Sequence, residues 1–522
     1  MNTYYPNWPL LLLLMWLYPL LAFAQYEVPS PKREMRGIWV TTAKNLDYPE
    51  SPTNWPVAQQ EEWKNLLKDY RELGFNAVFF QVRPAGDAFY PSELVPWSAY
   101  LTGEQDRPPR PEYDVLQFLV EEAHRQGLEF HAWINPFRAT MDLNTDKLSL
   151  RHVYNRHPRW IVQYGPRYYL DPGLPAVREH VCDVIAEIVD RYDIDGIHID
   201  DYFYPYPIPR RRFPDTATFR LHGQDFRTVE DWRRDNINQF IEMASTAIKE
   251  RKPHVYFGVS PFGVWRNEKR DRSGSATTAD ITSYDHLYAD VLTWARRGWV
   301  DYLAPQLYWN IGFQPADHAR LQRWWSVHKG SAELYIGHAA YKVRNDRVKA
   351  WDDPGEIKRQ VELGRRNRRI AGQLFFSSSY VLADPLGLKD SLRQLYRRPA
   401  LLPERPSLEL RTFASPELKV RNKGGDAKIK FGPSKVDKER PPYYYVVYRF
   451  KGARAGRLDE SEAILHITAP HATDETLSFV DRNVDDRKVY TYVVTAVNRA
   501  HQESRPSEPF SIRKKNGRIK RF

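Results

Sequence analysis

The sequence holds a single cysteine, Cys182, among 522 residues. That excludes an intramolecular disulfide and any cysteine-based metal site. Its neighbours Val181, Val184, Ile185 and Ile188 predict a buried helix position, where a thiol behaves as a small hydrophobe. No glycine-rich phosphate loop follows the first strand-like run, which argues against an open dinucleotide-binding sheet. No G-x-S-x-G elbow occurs, so a serine nucleophile of the α/β-hydrolase type has no support. No second histidine stands at ligand spacing from His198, Asp200 and Asp201, so neither a metal nor a cofactor is expected. No nucleic-acid motif accompanies the basic residues near the C-terminus, and residues 513–522 read as a frayed, solvated basic tail. The formal net charge of +11 suits contact with acidic polymers or surfaces rather than a defined nucleic-acid site.

What the sequence does have begins with an apolar run. Leu10–Leu14, Trp16, Leu17 and Leu20–Ala22 end in Ala22-Phe23-Ala24, the small-x-small pattern of a signal peptidase site. Residues 1–24 therefore read as a signal peptide, although the stretch ahead of the run has no Lys or Arg. The run is too short for a spanning helix, and no cysteine follows it to carry a lipid. The expected product is exported, periplasmic or associated with the cell envelope, with no stable membrane span after cleavage.

Hydrophobic residues make up 42% of the chain and aromatics 14%, with 16 Trp and 32 Tyr. That content supports folded domains over most of the length, and flat aromatic faces suit sugar rings. From residue 36 to about 395, extended apolar runs alternate with amphipathic helical ones. Expected strands start at Arg36, Ala77, Leu128, Gly196, Val255, Tyr302, Leu334 and Gly372, and a helix follows each. Eight such units predict an α/β fold, a closed (β/α)8 TIM-type barrel over 25–397. Prolines 399, 403 and 406 mark a linker over 398–409. Alternating runs such as Tyr443–Phe450 and Tyr490–Val497 then predict a small C-terminal β-sandwich over 410–512. Its last strand resembles the end of a fibronectin type III domain. The linker composition implies that the barrel folds without the sandwich.

In a barrel of this kind the site lies at the C-terminal strand ends. The fourth strand ends in Asp195-Gly-Ile-His-Ile-Asp-Asp-Tyr202. Alternation along the strand turns His198 and Asp200 toward the axis, with Asp201 at the turn into the loop. Two adjacent carboxylates raise one another's pKa, and a carboxyl still protonated near neutrality is what a general acid needs. Asp200, Asp201 and, on the second-strand loop, Asp87 are the candidate catalytic residues. Arg36, Arg83, Asn135, Arg138, His198, Tyr202, Trp265, Gln306, Tyr308 and Trp309 are the candidate substrate contacts: amides and guanidinium groups for hydroxyls and carbonyls, aromatic rings for sugar faces.

Six segments in order carry a family resemblance: Met35–Val40, Gln81–Tyr90, Pro96–Ser98 with Leu101–Gly103, Ala132–Arg138, Asp195–Pro205 and Ala304–Trp309. Together, over about residues 33–395, they resemble the glycosyl-hydrolase-like 10 domain. The family includes a hydrolase localised to the division machinery that cleaves peptidoglycan strands stripped of their stem peptides. The resemblance implies glycoside hydrolysis in an N-acetylated glycan, with cell-envelope or division proteins as partners. The fourth-strand motif also looks like a distant echo of the chitinase strand Asp-Gly-x-Asp-x-Asp-x-Glu. His198 stands where one Asp would be, Tyr202 stands where the terminal Glu would be, and Asp201 is the nearest substitute acid. Two rival readings stand beside this one: a hydrolase of another exported or dietary polysaccharide, and a non-catalytic glycan-binding protein.

Overall fold

The computed structural model describes residues 28–405, 408, 413–437, 442–470 and 477–522. The expected signal peptide lies outside the described residues. Eight parallel strands close a barrel in sequence order: β1 Met35–Val40, β2 Ala77–Arg83, β3 Glu129–Ile134, β4 Gly196–Ile199, β5 Tyr256–Val259, β6 Tyr302–Leu303, β7 Glu333–Ala339 and β8 Gly372–Phe376. Closure is by β8 against β1, with Met35 opposite Gly372 and Ile38 opposite Phe375.

The helices begin and end where the local chemistry directs. Pro56–Leu73 has proline in its first turn and ends at Gly74, which takes φ of +85°, a conformation that glycine adopts without strain. Val115–Arg125 is capped by the Asp114 carboxylate, which accepts from the Gln117 N–H. Along β4, Ile197 and Ile199 join the apolar layer between strands and helices, with Val78, Phe80, Val181 and Ile185. The other parity fills the axis: Trp39, Phe79, Trp133, Tyr256, Tyr302, Tyr335 and Leu374. The barrel is thus a packed core and not a pore. β6 is shorter than the run Tyr302–Tyr308 predicts, because Pro305 has no N–H to give the ladder. Gln306 still bridges Phe262 and Gly337 beyond the break. A hairpin not expected from sequence, Ile161–Tyr164 with Arg167–Leu170, stands in the long connection after β3.

The C-terminal region is a small antiparallel β-sandwich. One sheet runs Glu417–Lys423, Asp426–Gly432, Leu477–Asp481. The other runs Ile464–Ile467, Tyr444–Lys451, Val489–Val497, Phe510–Lys515, Arg518–Arg521. Val420, Ile429 and Phe431 of the first sheet meet Val447, Tyr492 and Val494 of the second in a shared core. The expected frayed tail is a correction: Arg513 opposes Lys520 and Lys515 opposes Arg518 in an edge hairpin of the larger sheet.

The sandwich sits against the floor of the barrel, at the N-terminal strand ends. The Arg405 guanidinium reaches the Glu129 carboxylate at 2.6 Å. His501 Nε2 meets the same oxygen at 2.8 Å. The Tyr443 hydroxyl donates to Asp195 at 2.7 Å, and Arg499 pairs with Asp193 at 2.9 Å. Glu129, Arg405, Asp195 and His501 are all buried. Buried charges stripped of their partners are costly, so this geometry works against a barrel that is stable without the sandwich.

Candidate active site

A cleft of about 420 Å³ opens at the C-terminal end of the barrel. Its walls come from nearly every strand end: Trp39 and Thr41 from β1, Gln81 from β2, Trp133 and Arg138 from β3, and Asp200, Asp201, Tyr202 and Tyr206 from β4. Ser260 and Phe262 follow β5, Gln306, Tyr308 and Trp309 follow β6, Tyr341 and Lys342 follow β7, and Phe376 ends β8.

The two aspartates lie side by side in it. Asp200 accepts from the Trp133 indole N–H at 3.2 Å and from the Asn135 amide at 3.4 Å. The Tyr202 backbone N–H reaches its other oxygen at 3.2 Å. Burial pushes the Asp200 carboxyl up to about 7. Arg138 opposes that rise and the neighbouring Asp201 charge adds to it. Asp201 accepts from the Tyr206 hydroxyl and, at 3.1 Å, from the Gln306 amide. Its carboxyl is also raised, by burial above all, against the pull of those two donors. A buried, coupled carboxyl pair of this kind retains a proton near neutrality.

Arg138 is the cation nearest in role to an anion receptor. It is 8% exposed and lies 4.6 Å from the Tyr202 ring. Among the described residues its Nε has no hydrogen-bond partner, and Nη1 finds only the Met141 sulfur at 3.8 Å. Lys342, the other cleft cation, is engaged with Asp346 at 3.1 Å.

Below the aspartates runs a column of hydrogen bonds along the barrel axis. The Trp39 indole donates to His198 Nε2 at 3.0 Å. An indole only donates, so Nε2 is the acceptor and His198 carries its proton on Nδ1. That N–H points to the Tyr302 hydroxyl at 3.0 Å. Tyr302 in turn meets His131 Nδ1 at 3.2 Å, and His131 Nε2 meets Glu129 at 3.2 Å. The indole fixes the His198 tautomer, and the Glu129 carboxylate, which only accepts, takes an N–H from His131 Nε2. Burial holds His198 well below the usual imidazole range, with His131 adding to it, so it stays neutral. Gly196 and Gly258 leave the room: a Cβ on Gly196 would stand 2.3 Å from His131 Nδ1, and one on Gly258 2.0 Å from the Tyr302 ring.

Of the residues expected from sequence, Asp200, Asp201, Arg138, Tyr202, Gln306, Tyr308 and Trp309 line the cleft together. Asn135 does not face it but holds Asp200 and, through its amide oxygen, the Arg138 N–H at 3.0 Å. His198 lies beneath the cleft in the column. Four placements are corrections. Arg36 is on the floor, bonded to Glu34 and to the Arg398 carbonyl, each at 2.8 Å. Arg83 is fully buried against the Asn135 and Pro136 carbonyls, turned there by a register shift between Gln81 and Arg83. Asp87 is tied to the Ala85 N–H at 3.2 Å and to Ser98 under its own loop, outside the cleft lining. Burial nonetheless raises its carboxyl to about 6. Trp265 is packed against Trp324. Its neighbour Arg266 is held by Asp271 at 2.9 Å and Asp285 at 2.8 Å. Sequence reasoning passed over Trp39, Tyr206, Tyr341, Lys342 and Phe376. The available signal was position, because Tyr341 and Phe376 end or follow the seventh and eighth strands.

A packed parallel barrel that gathers paired, proton-retaining carboxylates among aromatic rings at its C-terminal end is the design of a barrel-class glycoside hydrolase. The chain belongs to the glycosyl hydrolase-like 10 family, whose pattern it matches over residues 34–353. It is similar to glycosyl hydrolase YngK of Bacillus subtilis (strain 168), at 43% identity over 500 residues that cover 94% of each chain. It is also similar to glycosyl hydrolase DigH of Escherichia coli (strain K12), at 40% identity over 372 residues, 66% of this chain and 83% of that one. Among solved structures, the glycoside hydrolase domain of PgaB (BpsB) from Bordetella bronchiseptica aligns with 69% of this chain and 99% of its own, at a TM-score of 0.43 and 12% identity.

Proposed function

We propose that this is an exported hydrolase that cleaves a β-1,4 glycosidic bond in peptidoglycan strands freed of their stem peptides. The observation that carries the reading is the Asp200–Asp201 pair, buried in an aromatic cleft and raised toward neutrality. In this reading the pair delivers the proton to the leaving glycosidic oxygen, and Asp200, raised to about 7, is its donor. Asp87 lies outside the cleft, so assistance at the anomeric carbon falls to the substrate acetamido group, positioned by Asp201 with Tyr206 and Gln306. Trp309, Tyr308 and Phe262 offer faces for sugar rings. Arg138 supports the choice of peptide-free strands: a guanidinium with an open donor suits a lactyl carboxylate, which the stem peptide would convert to an amide. The sandwich is read as fibronectin type III-like.

The test is product release. Purified protein is incubated with amidase-treated glycan strands, intact peptidoglycan, chitin and plant polysaccharides, and new reducing ends are counted. Fast release from the amidase-treated strands is expected. Equal rates on intact and treated peptidoglycan would remove the peptide-free preference. Binding without any new reducing ends would replace the hydrolase with a glycan-binding protein.

A further inference from the structure

The positive charge of this protein is not spread over it. Residues 410–522 contain 24 Lys and Arg against 14 Asp and Glu, so the sandwich region carries +10 of the chain's formal +11. Within it the cations are arranged in opposed pairs. On the outer face of the smaller sheet, Lys419 stands directly across from Lys430, and Arg421 from Lys428. In the edge hairpin of the larger sheet, Arg513 stands across from Lys520, and Lys515 from Arg518. The inward neighbours Val420, Ile429 and Ile512 belong to the sandwich core, so these eight side chains point outward by strand parity. The nearest cross-strand neighbours of Lys428 and Lys430 on the third strand are Val480 and Ser478, not acids. None of the eight makes an ion pair with a described residue.

Like charges set directly opposite one another destabilise a sheet. Protection of exposed edges is a common reason for strand lysines, but it requires them only on the edge strand. Here each pair has one member on an edge strand, Glu417–Lys423 or Arg518–Arg521, and the other on its inner neighbour. Edge protection leaves Lys428, Lys430, Arg513 and Lys515 unaccounted for.

The pairs also occupy one pole. The barrel contacts gather near Tyr443, Arg499 and His501. The cationic hairpin instead joins the opposite end of the Val489–Val497 strand, with Val489 against Arg513. Between Val497 and Tyr490 the strand runs about 23 Å at 3.3 Å per residue. The two sets of cations meet at that far edge, where the Ile519 N–H donates to Asn422 at 2.9 Å. They lie on the outer faces of two different sheets, so the charged surface turns around the edge of the sandwich.

We propose that this distal pole is a binding surface for a linear, flexible polyanion with one negative charge per repeat, such as a phosphodiester-linked polyol. Cations about 5 Å apart across the strands and about 7 Å apart along them match successive charges of an extended chain. A bending chain follows the turn around the edge, whereas a flat bilayer meets one face at a time. Because the surface lies beyond the barrel floor, a bound polymer would hold the molecule with its cleft directed away. The proposal is independent of the glycosidase reading.

The experiment uses the full chain and fluorescent poly(glycerol phosphate), with anisotropy read at low and physiological salt. Tight, salt-sensitive binding is expected. A variant with Lys428→Glu, Lys430→Glu, Arg513→Glu and Lys515→Glu should bind at least about tenfold more weakly, since each cation near an anionic surface contributes on the order of a tenfold factor or less. The same variant should melt above the wild type, because each new glutamate faces a cation. Hydrolysis of short soluble glycans should not change. A control of equal net charge placed away from that pole, Lys68→Glu, Arg297→Glu, Arg368→Glu and Arg505→Glu, all exposed, should keep wild-type binding. Equal losses in both variants would reduce the effect to net charge and overturn the site. So would wild-type affinity in the first variant, or tighter binding to phosphatidylglycerol vesicles than to the polymer at equal phosphate.

Discussion

The ion-paired carboxylates buried at the floor of this barrel and the carboxylate pair buried at its mouth behave in opposite ways. At the floor, burial pushes Glu129 up, but Arg405, His501 and His131 outweigh it and hold the carboxyl well below its usual range. Asp195 follows the same pattern through His124, although Glu129 opposes it. Glu34 is lowered by Arg36 and Arg365 in spite of its burial. At the mouth Arg138 lowers both Asp200 and Asp201, but burial prevails. Depth alone therefore does not mark a catalytic carboxyl. A carboxyl raised by burial is a candidate only where it also faces the cleft, as Asp200 and Asp201 do and Asp87 does not.

The largest expected effect breaks the floor. Glu129→Gln leaves Arg405 buried without its anion and should lower stability by about 3–5 kcal/mol, read as a loss in the denaturation midpoint. The pH–rate profile of the surviving folded fraction should keep its shape. At the mouth, Asp200→Asn and Asp201→Asn should each lower turnover by at least about a hundredfold with the fold intact. The stability signs differ between the two ends. A carboxyl raised in the folded state loses its stabilising contribution as pH rises through the folded pKa, so Asp200→Asn should melt no lower than wild type, and higher above pH 7. The lowered floor carboxyls Glu129 and Asp195 contribute above their unfolded pKa and lose that contribution as pH falls, so acid unfolding should begin at the floor.

Smaller changes sharpen the contrast. Arg138→Ala should raise KM for peptide-free strands by about tenfold, the weight of one charge-assisted contact. It should have no such effect on strands whose lactyl carboxyl has been amidated. Tyr443→Phe removes one donor from Asp195 and should cost about 1 kcal/mol of stability without altering kcat.

Most of the fold was legible in the sequence because its signals are local. Apolar strand runs, amphipathic helices and stops such as Gly74 fall at regular intervals, and β6 was over-read only past Pro305. The site was legible in part. Strand parity correctly turns His198 and Asp200 inward, but parity does not say at which height a side chain ends, so Arg36 was placed at the wrong end of β1. Nor does it foresee the register shift that buries Arg83, or the Ser98 bond that ties Asp87 beneath its loop. The floor network joins Glu129 and Asp195 to Arg405, Tyr443 and His501 across more than two hundred residues, and no local pattern announces such a contact.

The most direct measurement is the pH dependence of kcat/KM for reducing-end release from peptide-free glycan strands. If the mouth pair supplies the proton, activity should fall along a basic limb with a midpoint near 7, the value to which Asp200 is raised, and Asp200→Asn should abolish that limb along with most of the rate. A profile flat from mildly acidic to alkaline pH, or the same limb in the Asp200→Asn protein at wild-type rate, would contradict it.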